Sequence, residues 1–258
     1  MIQQNDDRIN LPIYRKNWVS LVTLAIGLTI TVLMYRAIHH AEQENQISDF
    51  RFSANLQLQE LQASIDEKIL SLRALRSIRD VSTDFDRMQF QVNSRRFLTT
   101  DSGSWILWVP RVKAGDRSEH TRRAQESGRL TYAIKELTVE GIVHDAMERN
   151  EYFPVHFAEP DDRLHELIGL DLGSHPACTN DMSLAGDTGT TTVSSPFDLS
   201  SVGLGRRCVL LIEPVYHRSS RIVSKRTRQE ALDGFLIIGI ETDRILTNLQ
   251  SGRLPTSV

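Results

Sequence analysis

The sequence predicts an α+β fold in which an antiparallel sheet with flanking helices is carried on one long N-terminal helix. Three observations lead there. No glycine lies between Gly27 and Gly103 and no proline between Pro12 and Pro110, so nothing breaks an early helix. Beyond Phe85 the pattern changes to short runs of branched and apolar residues at hairpin-like spacing. Between those runs lie stretches with helix start and stop residues.

With 258 residues, 40% of them hydrophobic, the chain can bury a core, which excludes a disordered tail. The net charge of -3 comes from interspersed acids and bases, so no surface is built to neutralise phosphates and nucleic acid is not an expected partner.

The first element is the uncharged run Trp18–Tyr35 (WVSLVTLAIGLTITVLMY). As a helix it reaches about 27 Å, close to the ~30 Å thickness of a bilayer's hydrocarbon. Aromatic rings at both ends suit the headgroup level, and its serine and threonines can bond back to their own helix. A cleaved leader is the competing reading, but the run is long for one, and Tyr35-Arg36-Ala37-Ile38-His39 is a poor cleavage site. Arg8, Arg15 and Lys16 precede the run, and Arg36 is the lone base shortly after it. The positive-inside rule therefore places residues 1–17 in the cytoplasm and the main domain outside the plasma membrane, in the periplasm or the exterior.

Residues 36–84 read as a stalk, helical to about Arg79. Ile47, Phe50, Ala54, Leu58, Leu61, Ile65, Ile69 and Leu72 follow steps of 3, 4, 4, 3, 4, 4 and 3, an eleven-residue repeat. Such a repeat has about 3.67 residues per turn and gives a straight or slightly right-handed stripe. Phe52, Leu56 and Leu70 form a weaker second face. Two readings stay open: a helix packed on its own domain, or a stalk that also meets its copy in a homodimer.

Residues 85–250 form the outer domain, and 251–258 read as a truncated end. Asp116–Gly128 has the cap and stop of an exposed helix, and Pro176–Ala185 is a second helix. Strands are expected at Thr131–Leu137, Tyr152–Phe157, Thr191–Phe197, Cys208–Tyr216 and Phe235–Glu241. The basic run Arg218–Arg228, without interleaved aromatics, reads as a solvated loop.

Four motifs are more specific. WVPRV (Trp108–Val112) is followed by Arg117 and a charged helix ending in Glu126-Ser127-Gly128; then come EYFPVHFAEP (Glu151–Pro160), LIGLDLGSHP (Leu167–Pro176) and LLIEPVYH (Leu210–His217). In that order they resemble the CHASE domain, the extracytoplasmic sensory module of membrane-bound histidine kinases and nucleotide cyclases, over Phe85–Leu249. The resemblance implies a PAS-like ligand-binding sheet mounted on the long helix, with a second membrane span and a cytoplasmic output domain. Neither of those two parts occurs in these residues, which reads as a fragment of a longer receptor or a natural short form.

In the plant hormone-receptor branch of that family, the aspartate of the leucine-aspartate step accepts hydrogen bonds from the ligand. Leu170 and Asp171 occupy that step here. The alternative is that Asp171 caps the next turn through the N–H of Gly173 or Ser174. Pocket walls would come from Phe153, Val155, Phe157, Val193, Ser195, Leu210 and Ile212, although strand alternation sends some of these into the core.

No HExxH motif, nucleophile elbow or nucleotide fingerprint is present, and His144, Asp145 and His156 are the nearest approach to a cluster. No enzyme activity, metal or cofactor is expected. Cys178 and Cys208 could pair in an oxidising exterior, stabilising by ~3–4 kcal/mol in the chain-entropy model, or remain two buried thiols. The expected function is a membrane-anchored sensor that binds a small molecule and signals through its helix; the alternative is a membrane-tethered assembly module without ligand.

Overall fold

The computed structural model describes residues 14–81, 85–98, 104–138, 140–160, 164–199, 207–217 and 223–242. Within the first helix it describes side chains at 18, 21–36, 58–59 and 61–81, and the side chain of Phe197 is likewise outside the description. Two compact units divide the chain, Met1–Leu58 and Gln59–Val258.

Helix α1 runs Tyr14–Val81, so the breaker-free segment is helical as expected. In the first unit its side chains from Leu21 to Tyr35 are exposed, and Thr29 and Thr31 bond back to the carbonyls of Ala25 and Gly27 at 2.8 and 2.9 Å. Among the described residues no helix is long and apolar enough to cross a membrane. Of the Trp18–Tyr35 run, side chains are described at 18 and 21–35. Of the expected stalk stripe, Ile47, Phe50 and Ala54 lie outside the described side chains, as do Phe52 and Leu56 of the second face.

In the second unit a twisted antiparallel sheet has the order β6-β1-β10-β9-β7, with β8 also pairing β9. Its strands are β1 (Ser104–Pro110), β6 (Phe157–Glu159), β7 (Thr192–Val193), β8 (Phe197–Asp198), β9 (Arg207–Tyr216) and β10 (Leu232–Glu241). Two small ladders, β2 (Val112–Lys113) with β5 (Glu151–Tyr152) and β3 (Lys135–Leu137) with β4 (Val143–Asp145), flank it. Helices α2 (Arg87–Phe97), α3 (Arg117–Glu126), α4 (Pro176–Thr188) and α5 (Lys225–Ala231) complete the unit.

Both sheet faces are covered, which explains why β1, β9 and β10 are apolar without alternation. On one face Trp105, Leu107, Val109, Leu210, Ile212, Phe235 and Ile237 join Cys178, Met182 and Ala185 of α4 in one core. On the other, Ile106, Trp108, Leu211, Val215, Leu236, Ile238 and Ile240 meet Leu72 and Leu75 of α1 and Phe90 of α2. Ile65 and Ile69 pack against this second core, so together with Leu72 this part of the stripe is buried on the chain's own sheet, whereas Leu58 is exposed. Leu72 and Leu75 are fully buried, each worth about 1.5–3 kcal/mol. Leu70, on the weaker face, is exposed.

Ion pairs fasten the helices to the sheet at its polar strand positions. Arg76 reaches Glu213 at 2.8 Å, Arg95 reaches Glu159 at 2.5 Å, and Arg79 pairs with Asp233 while lying over the Trp108 ring at 4.4 Å. Glycine makes room at one crossing: a Cβ on Gly239 would stand 2.1 Å from the Trp105 ring facing it in register.

Several elements differ from expectation for identifiable reasons. The Tyr152–Phe157 strand divides around Pro154, which lacks an N–H: Glu151–Tyr152 pairs with β2 and Phe157–Glu159 with β1. Pro196 likewise separates β7 from β8. The expected Thr131–Leu137 strand contracts to Lys135–Leu137. Part of the basic run is helix α5, started by a capping box between Ser224 and Thr227. No bridge joins Cys178 and Cys208, which are buried thiols of one core, and burial pushes the Cys178 thiol up to about 12.

Candidate ligand site

Helix α4 starts where His175 Nδ1 accepts the N–H of Ala177, with Pro176 in its first turn, and ends on Gly189 in the left-handed conformation. Thr179, Met182, Ser183, Gly186 and Asp187 recur at helical spacing and form one wall of a cavity of about 470 Å³. Phe153 after β5, Gly173, and Leu232 and Phe235 of β10 form the rest of the lining with Arg111, Glu151 and Gln229. Small-molecule sites commonly measure ~300–1,000 Å³.

Its floor is apolar. Phe153 and Phe235 rings sit 5.4 Å apart beside Met182 and Leu232. Gly186 allows this closeness, since a Cβ there would press on Leu232 at 3.3 Å, and a Cβ on Gly173 would meet the Phe153 ring at 2.6 Å. Around the rim the charges are paired. Arg111 donates to Glu151 at 2.7 Å and to the Gln229 carbonyl at 2.6 Å, while Asp187 accepts from Gln229 at 2.6 Å and pairs with Lys225 at 2.7 Å.

Asp171 stands directly behind two of the lining residues. Its Oδ1 accepts the N–H of Phe153 at 2.8 Å and of Gly173 at 3.1 Å, so the capping role is real. Its Oδ2 is buried without a hydrogen bond, 3.8 Å from Arg149, which also grips the buried Glu136. Burial raises the Asp171 carboxyl above its ordinary range, opposed by the Phe153 bond and the Arg149 charge. The backbone is locked as well: Val155 donates to Leu170 at 2.9 Å and Asp171 to Lys135 at 2.7 Å. Gly169 just before has φ +84°, and a Cβ there would strike the Ala133 carbonyl at 2.1 Å.

Of the residues expected at the pocket, Phe153 lines the cavity, whereas Asp171 is not in the lining and reaches it only by accepting the N–H groups of Phe153 and Gly173. Val155, Leu170, Leu210 and Ile212 fill the adjoining core. Phe157 packs on the opposite sheet face, and Val193 and Ser195 are exposed. The α4 set was legible as spacing, but ending the helix at Ala185 cuts off Gly186 and Asp187. Arg111 and Gln229 come from distant segments, with no local signal.

His120 and His156 rings lie 4.9 Å apart, with His120 Nε2 2.9 Å from the Tyr132 hydroxyl. Burial pushes His120 down to about 4 and His156 to about 3, so both are neutral near pH 7. His144 stands 3.6 Å from Glu136 instead, and Asp145 belongs to the β3–β4 ladder. Among the described residues no group of His, Cys, Asp and Glu is placed to hold a metal ion.

Residues 83–257, about two-thirds of the chain, match the family model described as CHASE domain. The chain belongs to the CHASE domain family. Its similarity to the germination-specific adenylate cyclase of Dictyostelium discoideum is 24% identity over 160 residues, which is 61% of this chain and 18% of that protein. The chain therefore spans less than a fifth of the relative's length. CHASE domains are sensory modules of signalling proteins, typically extracellular, which agrees with a sensory rather than catalytic role.

Physical reasons for the CHASE motifs follow from the contacts. Arg117 of the charged helix donates to the Tyr152 hydroxyl at 3.1 Å and lies over that ring, tying two motifs together. The tyrosine also accepts the N–H of Arg149 at 2.9 Å and donates to the Met147 carbonyl at 3.1 Å. Glu159 and Glu213, the acids of the glutamate-proline steps, are the buried partners of Arg95 and Arg76. They are structural anchors.

Proposed function

We propose that this CHASE domain is the extracytoplasmic, PAS-like ligand-binding part of a membrane-anchored sensor. A compact, largely apolar small molecule occupies the cavity between α4 and the sheet. Its charged rim is already paired, so the ligand needs no full charge of its own. Asp171 serves the site by setting the backbone of Phe153 and Gly173. The cavity is the observation that carries this reading, because the tethered assembly module would be expected to have a filled core there.

Anchoring rests on the uncharged Trp18–Tyr35 run, whose large hydrophobic side chains are exposed where described, preceded by Arg15 and Lys16. A helix continuous with that run passes the signal inward, in a homodimer, to an output domain of the longer protein: a histidine kinase, diguanylate cyclase or phosphodiesterase. The cyclase identity of the relative is compatible with this arrangement.

A small-molecule library screened by thermal shift against the full chain in detergent tests the site. Compounds that raise the melting temperature should lose that effect in Ser183→Trp, which fills the cavity, and retain it in Val193→Trp on the exposed surface. Equal shifts in Ser183→Trp and wild type would remove the ligand from this cavity.

A further inference from the structure

Strand β10 begins with an irregularity. Leu232 pairs with Tyr216 and Gly234 with Val215, which leaves Asp233 as an extra residue without a partner in the β9 register. Leu232 and Phe235, on either side of the bulge, both line the cavity. Asp233 faces the other way. Its carboxylate pairs with Arg79 of α1 and lies 3.4 Å from His217 Nδ1, while its carbonyl accepts the N–H of Arg111, a rim residue, at 2.8 Å. Arg79 is further held over the Trp108 ring.

The bulge has little room to slide. Gly234 has φ +155°, and a Cβ there would stand 2.4 Å from the Val109 carbonyl and 2.8 Å from the Pro110 Cα. A push on Leu232 or Phe235 from the cavity is therefore passed along the chain rather than absorbed beside it. We infer that the β10 bulge is the coupling element of this domain, with Asp233 transmitting occupation of the cavity to Arg79 and so to the C-terminal turns of α1. Two discrete arrangements of a packed helix on a sheet give such a contact its leverage. This inference rests on the sensor reading, although its test needs no ligand.

Gly186 supplies the test, since a methyl group there presses on Leu232 at 3.3 Å and on Phe235 at 3.7 Å from the cavity side. Gly186→Ala is a built-in wedge. Amide hydrogen exchange of residues 69–81 is compared by mass spectrometry in the full chain in detergent for four proteins: wild type, Gly186→Ala, Asp233→Asn and the double variant. The wedge should change exchange in that segment by about fivefold or more when Asp233 is intact, and have no effect in the Asp233→Asn background. Arg79→Gln, which breaks the pair from the helix side, should silence the wedge as well, and near-UV circular dichroism verifies that each variant is folded. Should Asp233→Asn fail that check, the Arg79→Gln pair of proteins decides alone. A wedge effect equal in both backgrounds, or absent in both, overturns the inference. Persistence of this coupling with no compound binding in the cavity would instead remove only the ligand.

Discussion

Removing Arg76 should harm this domain far more than neutralising its partner, Glu213. The two stand 2.8 Å apart, but Glu213 is 2% exposed and Arg76 30%. Glu213 keeps a second bond, from the Thr191 hydroxyl at 2.6 Å, and Arg76 has Asp80 as a neighbour at 3.9 Å. In Arg76→Ala the buried carboxylate is left with one neutral donor, and an uncompensated buried charge costs about 3–5 kcal/mol. In Glu213→Gln the amide retains the shape and the Thr191 contact, while the half-exposed guanidinium turns to water and Asp80. That change costs about 1 kcal/mol, the value of an ordinary hydrogen bond. For a domain of this size 1 kcal/mol corresponds to ~2–4 °C in melting temperature, so the two losses are about 6–12 °C or more and about 2–4 °C. Thermal unfolding of the full chain in detergent, followed through the buried Trp105 and Trp108, measures both. A Glu213→Gln loss equal to or greater than that of Arg76→Ala would refute the reasoning.

Two further outcomes follow from the packing. The folded domain holds His120 near 4 and His156 near 3, below the ordinary value of about 6.5, so the unfolded chain takes up their protons first as pH falls. Their contribution is complete above pH ~6.5 and is lost progressively toward pH ~4, by about 2–3 kcal/mol for His120 alone. Arg123 beside His120 and Arg129 beside His156 act in the same direction. His156→Phe should therefore flatten the fall in stability between pH 7 and 4.5 measured by denaturant unfolding; a slope as steep as wild type would count against the cluster. Gly239→Ala sets a methyl 2.1 Å from the Trp105 ring and should destabilise by about 3 kcal/mol or more, with a shifted tryptophan emission; an unchanged melting curve would contradict the packing.

How much of this could be read from the chain depends on what each segment's pattern reports. Helix α1 is legible because breakers are absent, and the long strands β9 and β10 because their branched, apolar content survives any context. Helix α3 is legible through Gly128, whose φ of +98° stops it, although Asp116 makes no side-chain cap. Strand β1 is hidden: Ser104–Pro110 is buried on both faces and shows no alternation, so its tryptophans and proline read as a motif. Helix α5 is hidden by its charge, since a run of bases suggests solvent while the Ser224–Thr227 box starts a helix.

The site is less legible than the fold for a related reason. Alternation tells which side chains share a face, but not where that face leaves space. Leu210 and Ile212, expected as pocket walls, instead fill the core they share with α4, and the cavity is lined by Leu232 and Phe235 on either side of the β10 bulge. The family motifs mark Asp171, and the structure gives it partners in Phe153 and Gly173, both walls of the cavity.

The central claim, that small molecules bind between α4 and the sheet, is tested most directly by methyl-labelled methionine NMR of the full chain. Met182 lies buried in the cavity floor, whereas Met88 and Met147 are exposed away from it. A compound that stabilises the protein should shift the Met182 resonance in a saturable manner and leave Met88 and Met147 unmoved. Saturable shifts at Met88 or Met147 with Met182 unchanged would contradict the account.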